Sequence, residues 1–337
     1  MSVRIAVIGA GSWGTALALL LARKGYETRL WAHNAERVAD LERQRENGTY
    51  LPGFAFPDTL HATGDLPEAL TGVDCVLSVT PSHTVREVMT RALPHLPPGA
   101  PIVSASKGIE NSTLMVMSEV LEDVLPKALH PNLTYLSGPS FAKEVAQELP
   151  TAVTIAGHDA AFTRRAQELF TAPYFRAYTT EDVIGVELGG ALKNVMAIGA
   201  GVADGLGYGY NTRAALITRG IAEMGRLAHK RGANPMTLAG LAGMGDLVLT
   251  CTGELSRNRS VGLRLGKGDT LATILGDMKM VAEGVKTSKS AYDLARREGV
   301  EMPIVAEVYK ILYQDKEPRL AVSELMGRLP KHERAAH

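Results

Sequence analysis

The chain has 337 residues, 45% of them hydrophobic and 21% charged, which suits two domains with separate cores and excludes a collagen-like or disordered chain. Lysine plus arginine and aspartate plus glutamate both number 36, so there is no bulk positive excess for general nucleic-acid binding, and only a local anion site stays open. No apolar run approaches the ~18 residues of a membrane span, Met1-Ser2-Val3-Arg4 runs into a strand pattern rather than a leader, and two distant cysteines, Cys75 and Cys251, make neither a disulfide framework nor a metal cluster; a reduced, soluble, cytoplasmic protein is expected.

Strand patterns at Val3–Ile8, Thr28–Trp31, Cys75–Val79, Pro101–Ser104, Leu133–Leu136, Ala152–Ala156 and Tyr174–Tyr178 alternate with helix patterns. The helices fall at Thr15–Lys24, Ala35–Arg45, Thr84–Leu93, Thr113–Leu125, Phe141–Gln147 and Ala160–Phe170, and the apolar stretch Ala16–Ala22 reads as part of an amphipathic pattern. Such alternation predicts βαβ units and a largely parallel, doubly wound sheet, with ligands outside the carboxyl ends of its strands. Beyond about Thr180 strand patterns nearly vanish, and helices are predicted at Glu187–Ala200, Arg213–Arg231, Ser260–Leu265, Leu271–Leu275, Thr287–Glu298 and Ile304–Leu312. A boundary near Thr179–Asp182 divides an α/β Rossmann-type domain, 1–180, from an all-α domain, 181–330, followed by a polar tail, 331–337.

The first strand leads at once into Gly9-Ala10-Gly11-Ser12-Trp13-Gly14 and then Thr15-Ala16-Leu17-Ala18, which sets G-x-G-x-x-G between a strand and a helix, as a dinucleotide site requires. Gly9 permits the turn, Gly11 lets the backbone approach a pyrophosphate, and Gly14 lets the helix pack on the strand, with the helix N-terminus facing the phosphates. The second strand ends Leu30-Trp31-Ala32-His33-Asn34-Ala35-Glu36-Arg37, without an acid at the strand end, where one ordinarily holds an NAD ribose ~20 residues on. His33 and Arg37 suit a 2′-phosphate, which favours NADP over NAD, although Glu36 could still reach a ribose.

Three further strand ends run into polar loops: Thr80-Pro81-Ser82-His83, Ala105-Ser106-Lys107-Gly108, and Ser137-Gly138-Pro139-Ser140-Phe141-Ala142. Each alone is an ordinary turn; together they occupy the predicted ligand edge. Lys107 could aim a point charge at an anionic substrate. Gly138 and Ser140 could add an amide and a hydroxyl, and Ser140 could equally cap the next helix.

In the helical half, Lys193 stands in an apolar helix with Gly189, Gly190 and Ala197 one turn away, small neighbours that leave room above the ammonium. Burial would lower its pKa and suit it to proton transfer; the alternative is a lysine that snorkels to water. Asp246, in the glycine-rich stretch Ala239–Leu247, could hold a substrate hydroxyl or Lys193, or serve as a helix cap or turn acid. Ser256-Arg257-Asn258 would converge on a phosphate if they open a helix, or form a solvated basic turn. Met280-Val281-Ala282-Glu283-Gly284 has no decisive chemistry of its own.

Taken in order, Gly9–Gly14, Lys107-Gly108, Ser137–Ala142, Leu188–Asn194, and Gly245-Asp246-Leu247 through Asn258 resemble the bacterial NAD(P)-dependent glycerol-3-phosphate dehydrogenases over essentially the whole chain. The resemblance implies a Rossmann-type domain joined to an all-α domain like that of 6-phosphogluconate dehydrogenase. It also implies NADP- or NAD-linked interconversion of dihydroxyacetone phosphate and sn-glycerol 3-phosphate for phospholipid synthesis. On it, Lys193 exchanges a proton with the C2 oxygen, and Lys107, Gly138, Ser140, Asp246, Ser256, Arg257 and Asn258 contact the substrate. Ser12, Trp13, His33, Lys107, Ala142, Arg257, Val281 and Glu283 contact the cofactor, the last two residues on the resemblance alone. No nucleic acid and no membrane partner are expected, and a homodimer stays open. Two other readings are a dehydrogenase of non-phosphorylated hydroxy acids, with Arg257 on a carboxylate, and a dinucleotide-sensing protein without turnover.

Overall fold

The computed structural model describes residues 2–278, 282–330 and 332–333, so the 331–337 tail lies outside it apart from His332 and Glu333. The first half contains β1 (Arg4–Ile8), α1 (Ser12–Arg23), β2 (Glu27–Trp31), α2 (Ala35–Gln44), β3 (Glu46–Asn47), β4 (Leu51–Ala55), β5 (Leu60–Thr63), α3 (Leu66–Leu70) and β6 (Cys75–Ser78). It continues with α4 (Val85–Ala92), β7 (Ile102–Ser104), α5 (Met117–Val124), β8 (Leu133–Ser137), α6 (Ala142–Ala146), β9 (Thr151–Ala156), α7 (Ala160–Phe170) and β10 (Phe175–Thr180). Eight strands form one sheet in the order β10-β9-β8-β7-β6-β1-β2-β5. It is parallel from β5 to β8, while β9 runs antiparallel to β8 and carries β10 parallel to itself. The strand order reverses at β1, the topological switch point where such sheets open a ligand crevice.

Ile5 to Ile8 are wholly buried because helices cover both faces of the sheet. One face packs on α1, α6 and α7, the other on α3, α4 and α5. Helix α1 is buried throughout from Gly14 to Ala22, so its apolar run is a two-sided core helix rather than an amphipathic one. β5 escapes sequence reading because Leu60-His61-Ala62-Thr63 is a short edge strand, paired with β2 alone. The helix expected from Thr113 begins only at Met117. Leu114 takes φ +60° and Ile109 bridges Val116, whose N–H donates to Glu119 Oε2 at 3.0 Å.

The second half holds α8 (Val183–Gly205), α9 (Tyr210–Lys230), α10 (Pro235–Leu238), α11 (Asp246–Thr252), α12 (Arg257–Gly266), α13 (Leu271–Asp277), α14 (Glu283–Glu298), α15 (Pro303–Tyr313) and α16 (Pro318–Met326), with no strand among the described residues. Asp182 caps α8 by accepting Gly185 N–H at 3.0 Å, and starts it a turn earlier than expected. Contrary to the sequence expectation, α8 is long and apolar enough to cross a membrane; here it is almost wholly buried as the axis of the helical core.

α8 and α12 touch backbone to backbone. A Cβ at Gly201 would lie 2.0 Å from Arg259 O, and one at Gly262 would lie 2.0 Å from Ile198 O. Gly262→Val is therefore expected to cost at least ~3 kcal/mol, at the upper end of overpacking effects, and to lower the urea midpoint. Gly276→Ala, where a Cβ meets nothing within 4 Å, is the control. Equal midpoints for the two variants would contradict the close approach.

Candidate active site

The crevice begins at the glycine loop. Gly9 takes φ +123°, and a Cβ there would stand 2.7 Å from Val79 O; at Gly14 it would stand 1.8 Å from Gly9 O. Gly11, the N-cap of α1, instead faces open space, which leaves backbone amides accessible to phosphate. Asn47 Nδ2 pins the loop through Ala10 O at 3.0 Å and Thr15 Oγ1 at 2.7 Å, and Ser12 Oγ donates to Tyr50 O at 2.7 Å. Trp13 Nε1 is buried with no hydrogen-bond partner among the described residues. This cradle and the orphaned donor beside it fit a dinucleotide.

His33 is exposed past the end of β2, and Arg37 lies in the first turn of α2 with its guanidinium 3.7 Å from the Tyr50 ring centroid. Its Nη2 reaches Asn47 Oδ1 at 3.5 Å, while its Nε is buried without a partner. Asn47 and Tyr50 were not foreseen: they sit in an irregular hairpin with no periodic signal.

Lys107 follows β7, and its Nζ donates to Asp246 Oδ2 at 2.8 Å and approaches Gly138 O at 3.4 Å. Ser140 Oγ turns back to Gly138 O at 2.9 Å, and Phe141 is the N-cap of α6, so Ser140 does not cap that helix. Ala142 opens α6, half-buried.

From the helical side, Lys193 Nζ donates to Asp246 Oδ1 at 2.5 Å and to Thr250 Oγ1 at 3.0 Å. The glycine-rich stretch forms a π-helical turn, Leu241–Gly245, that runs into α11, whose first residue is Asp246. Thr250 is one helical turn further on and was missed with that helix. The glycine pair does not leave room above the ammonium. A Cβ at Gly190 would meet Ser137 Oγ at 2.7 Å and the Lys107 stem at 3.5 Å, and one at Gly189 would meet Ala242 O at 2.3 Å.

Two ammonium groups thus share one fully buried carboxylate. Burial pushes the pKa of Lys193 down to about 8 against the upward pull of Asp246, with Lys107 adding to the fall. Burial alone would raise Asp246, but Lys107 and Lys193 outweigh it and hold the carboxyl below its usual range. The array keeps an excess of positive charge, suited to an anionic substrate.

Ser256 is the N-cap of α12 and accepts Arg259 N–H at 3.2 Å. Buried Asn258 donates to Asn194 Oδ1 and accepts from Gly284 N–H, both at 2.9 Å, which ties α8, α12 and α14 together. Arg257 is exposed and makes no hydrogen bond or ion pair among the described residues. Glu283 opens α14; burial raises its carboxyl pKa, opposed by Arg257, Lys107, an N–H of Ser82 and Lys193. Val281 lies outside the described residues.

A Rossmann-like sheet with a dinucleotide cradle, whose carboxyl edge meets a buried lysine–carboxylate–lysine array, defines a nicotinamide-linked oxidoreductase. The comparisons agree. Residues 4–163 match the family model of the NAD-dependent glycerol-3-phosphate dehydrogenase N-terminus, and residues 182–323 match that of its C-terminus. A glycerol-3-phosphate dehydrogenase (NAD(P)+) of Geobacter sp. (strain M21) is 60% identical, and one of Myxococcus xanthus 56%, each over 99% of both chains. The crystal structure of the Coxiella burnetii glycerol-3-phosphate dehydrogenase superposes with a TM-score of 0.93 at 43% identity, covering 97% of this chain and 99% of that one. The chain belongs to the NAD-dependent glycerol-3-phosphate dehydrogenase family, and is an oxidoreductase acting on a CH–OH group with NAD or NADP.

Proposed function

We propose that the chain interconverts dihydroxyacetone phosphate and sn-glycerol 3-phosphate at the Lys107–Asp246–Lys193 array, supplying glycerol phosphate for phospholipid synthesis. The observation that carries this reading is a fully buried carboxylate, Asp246, held by one ammonium group from each half, 1–180 and 181–330. Lys193 gives a proton to the C2 oxygen in reduction and takes it back in oxidation, a role its pKa of about 8 suits. Lys107 steadies the negative charge that develops on that oxygen. Asp246 and Thr250 hold Lys193 in place.

The phosphate is met by Arg257 and the free amides at the start of α12, since Ser256 and Asn258 use their side chains to build that corner. Gly138 and Ser140 complete the substrate side. Gly9, Gly11, Ser12, Trp13, Gly14, His33, Lys107, Ala142, Arg257, Val281 and Glu283 hold the cofactor, which supplies or accepts the hydride when bound. The absence of an acid at the end of β2, with His33 and Arg37 there instead, supports NADP over NAD. A cytoplasmic homodimer completes the reading.

Loss of absorbance with dihydroxyacetone phosphate, run in parallel with NADH and NADPH, tests the activity and the cofactor together. Arg257→Ala is expected to raise the KM for dihydroxyacetone phosphate by about tenfold to a hundredfold, the value of a charged hydrogen bond. An unchanged KM would move the phosphate elsewhere.

A further inference from the structure

The carboxyl ends of β7 and β8 carry three hydroxyls that the reaction does not use. Ser104 ends β7 opposite Tyr135 in the parallel register, and Ser137, two residues along β8, shares the face of Tyr135. They are 2%, 3% and 4% exposed respectively, and none of their oxygens has a hydrogen-bond partner among the described residues. Buried hydroxyls are as a rule paired. All three wall a cavity of about 10 Å³ whose lining also includes Lys107, Glu187 and Gly190. Glu187 also lines it, with each of its oxygens accepting one hydrogen bond from Ser118. The cavity is about large enough for one water, whose two to four hydrogen bonds suit three hydroxyl partners.

We propose that this cavity binds a single structural water, held by Ser104, Tyr135 and Ser137, and that through it these three act as positioning residues for Lys107. The inference rests on the placement of Lys107 in the active site. Ser104 stands three residues before Lys107, and Ser137 directly precedes Gly138, whose carbonyl lies 3.4 Å from Lys107 Nζ. The Lys107 stem and Ser137 Oγ also lie against the same glycine of α8, Gly190. A water that ties the ends of β7 and β8 together sets where the Lys107 loop stands relative to Asp246.

Tyr135→Phe removes one hydroxyl and keeps the ring. The full chain and this variant are compared by high-resolution crystallography, and both are assayed in the wild-type and Lys107→Ala backgrounds. The wild type is expected to show one water within hydrogen-bond distance of the three hydroxyls. Tyr135→Phe is expected to lower kcat about tenfold with the thermal midpoint unchanged, and to lower it less than about twofold once Lys107 is absent. A site without water density, or an equal loss in both backgrounds, overturns the inference. Lys107→Ala with wild-type turnover would instead mark failure of the Lys107 assignment, and the positioning role falls with it. Ser137→Ala serves as the second variant if Tyr135→Phe does not fold.

Discussion

Replacing Lys193 by alanine is expected to lower turnover on the order of 10²–10⁴-fold, the usual worth of a placed general acid or base, with cofactor affinity nearly unchanged. The pH dependence follows from its pKa of about 8. Reduction needs the ammonium, so its rate should fall as pH rises through about 8; oxidation needs the free amine, so its rate should rise over the same interval. Steady-state rates in both directions across that interval check the sign. Near-normal turnover in the variant, or limbs of the opposite sense, would remove Lys193 from its role.

The second large effect is expected from Asp246→Asn. This variant leaves two ammonium groups 2.5 and 2.8 Å from a neutral amide in a buried setting. Breaking a buried charge pair from one side costs roughly 3–5 kcal/mol. Without the carboxylate, the upward pull on the Lys193 pKa disappears while burial and Lys107 still push it down. The folded variant then binds fewer protons at Lys193 than the unfolded chain, so its stability should rise from neutral pH toward the ordinary lysine range. The limb of the reduction rate should also move to lower pH. Denaturation midpoints at neutral and alkaline pH, with the residual pH profile, test both. A variant as stable as the parent at neutral pH would mean that Asp246 does not neutralise the two lysines.

The parts of the site that could be read from the chain were those written in local pattern. Gly9–Gly14 stands beside an apolar run and a helix start, and each glycine has a steric task within six residues. Lys193 is the one charge in the middle of an apolar helix, which pointed to burial over snorkelling, and the structure buries it. Ser256 to Asn258 suggested a helix opening, and Ser256 is its N-cap. Asp246 was singled out with Lys193, 53 residues away, as one of its possible partners, but nothing local pointed to Lys107, 139 residues away. Thr250 was lost with the helix that carries it, because Gly240, Gly243 and Gly245 hide α11 behind a loop-like composition. Ser140 looked like a cap but turns back on Gly138, and Gly190 proved to accommodate Lys107 and Ser137 rather than the ammonium of Lys193.

The sequence by itself determined the alternation of strands and helices, the helical second half and the dinucleotide loop, and it singled out Lys193, because each follows from side-chain period, backbone freedom or desolvation within about one element. Only the tertiary structure decided that β9 runs against β8, that α8 and α12 meet through bare backbone, and that Lys107 and Lys193 share Asp246. Those outcomes depend on distances between elements far apart in the chain, and they are set by how whole faces pack and how buried charges find a counter-charge.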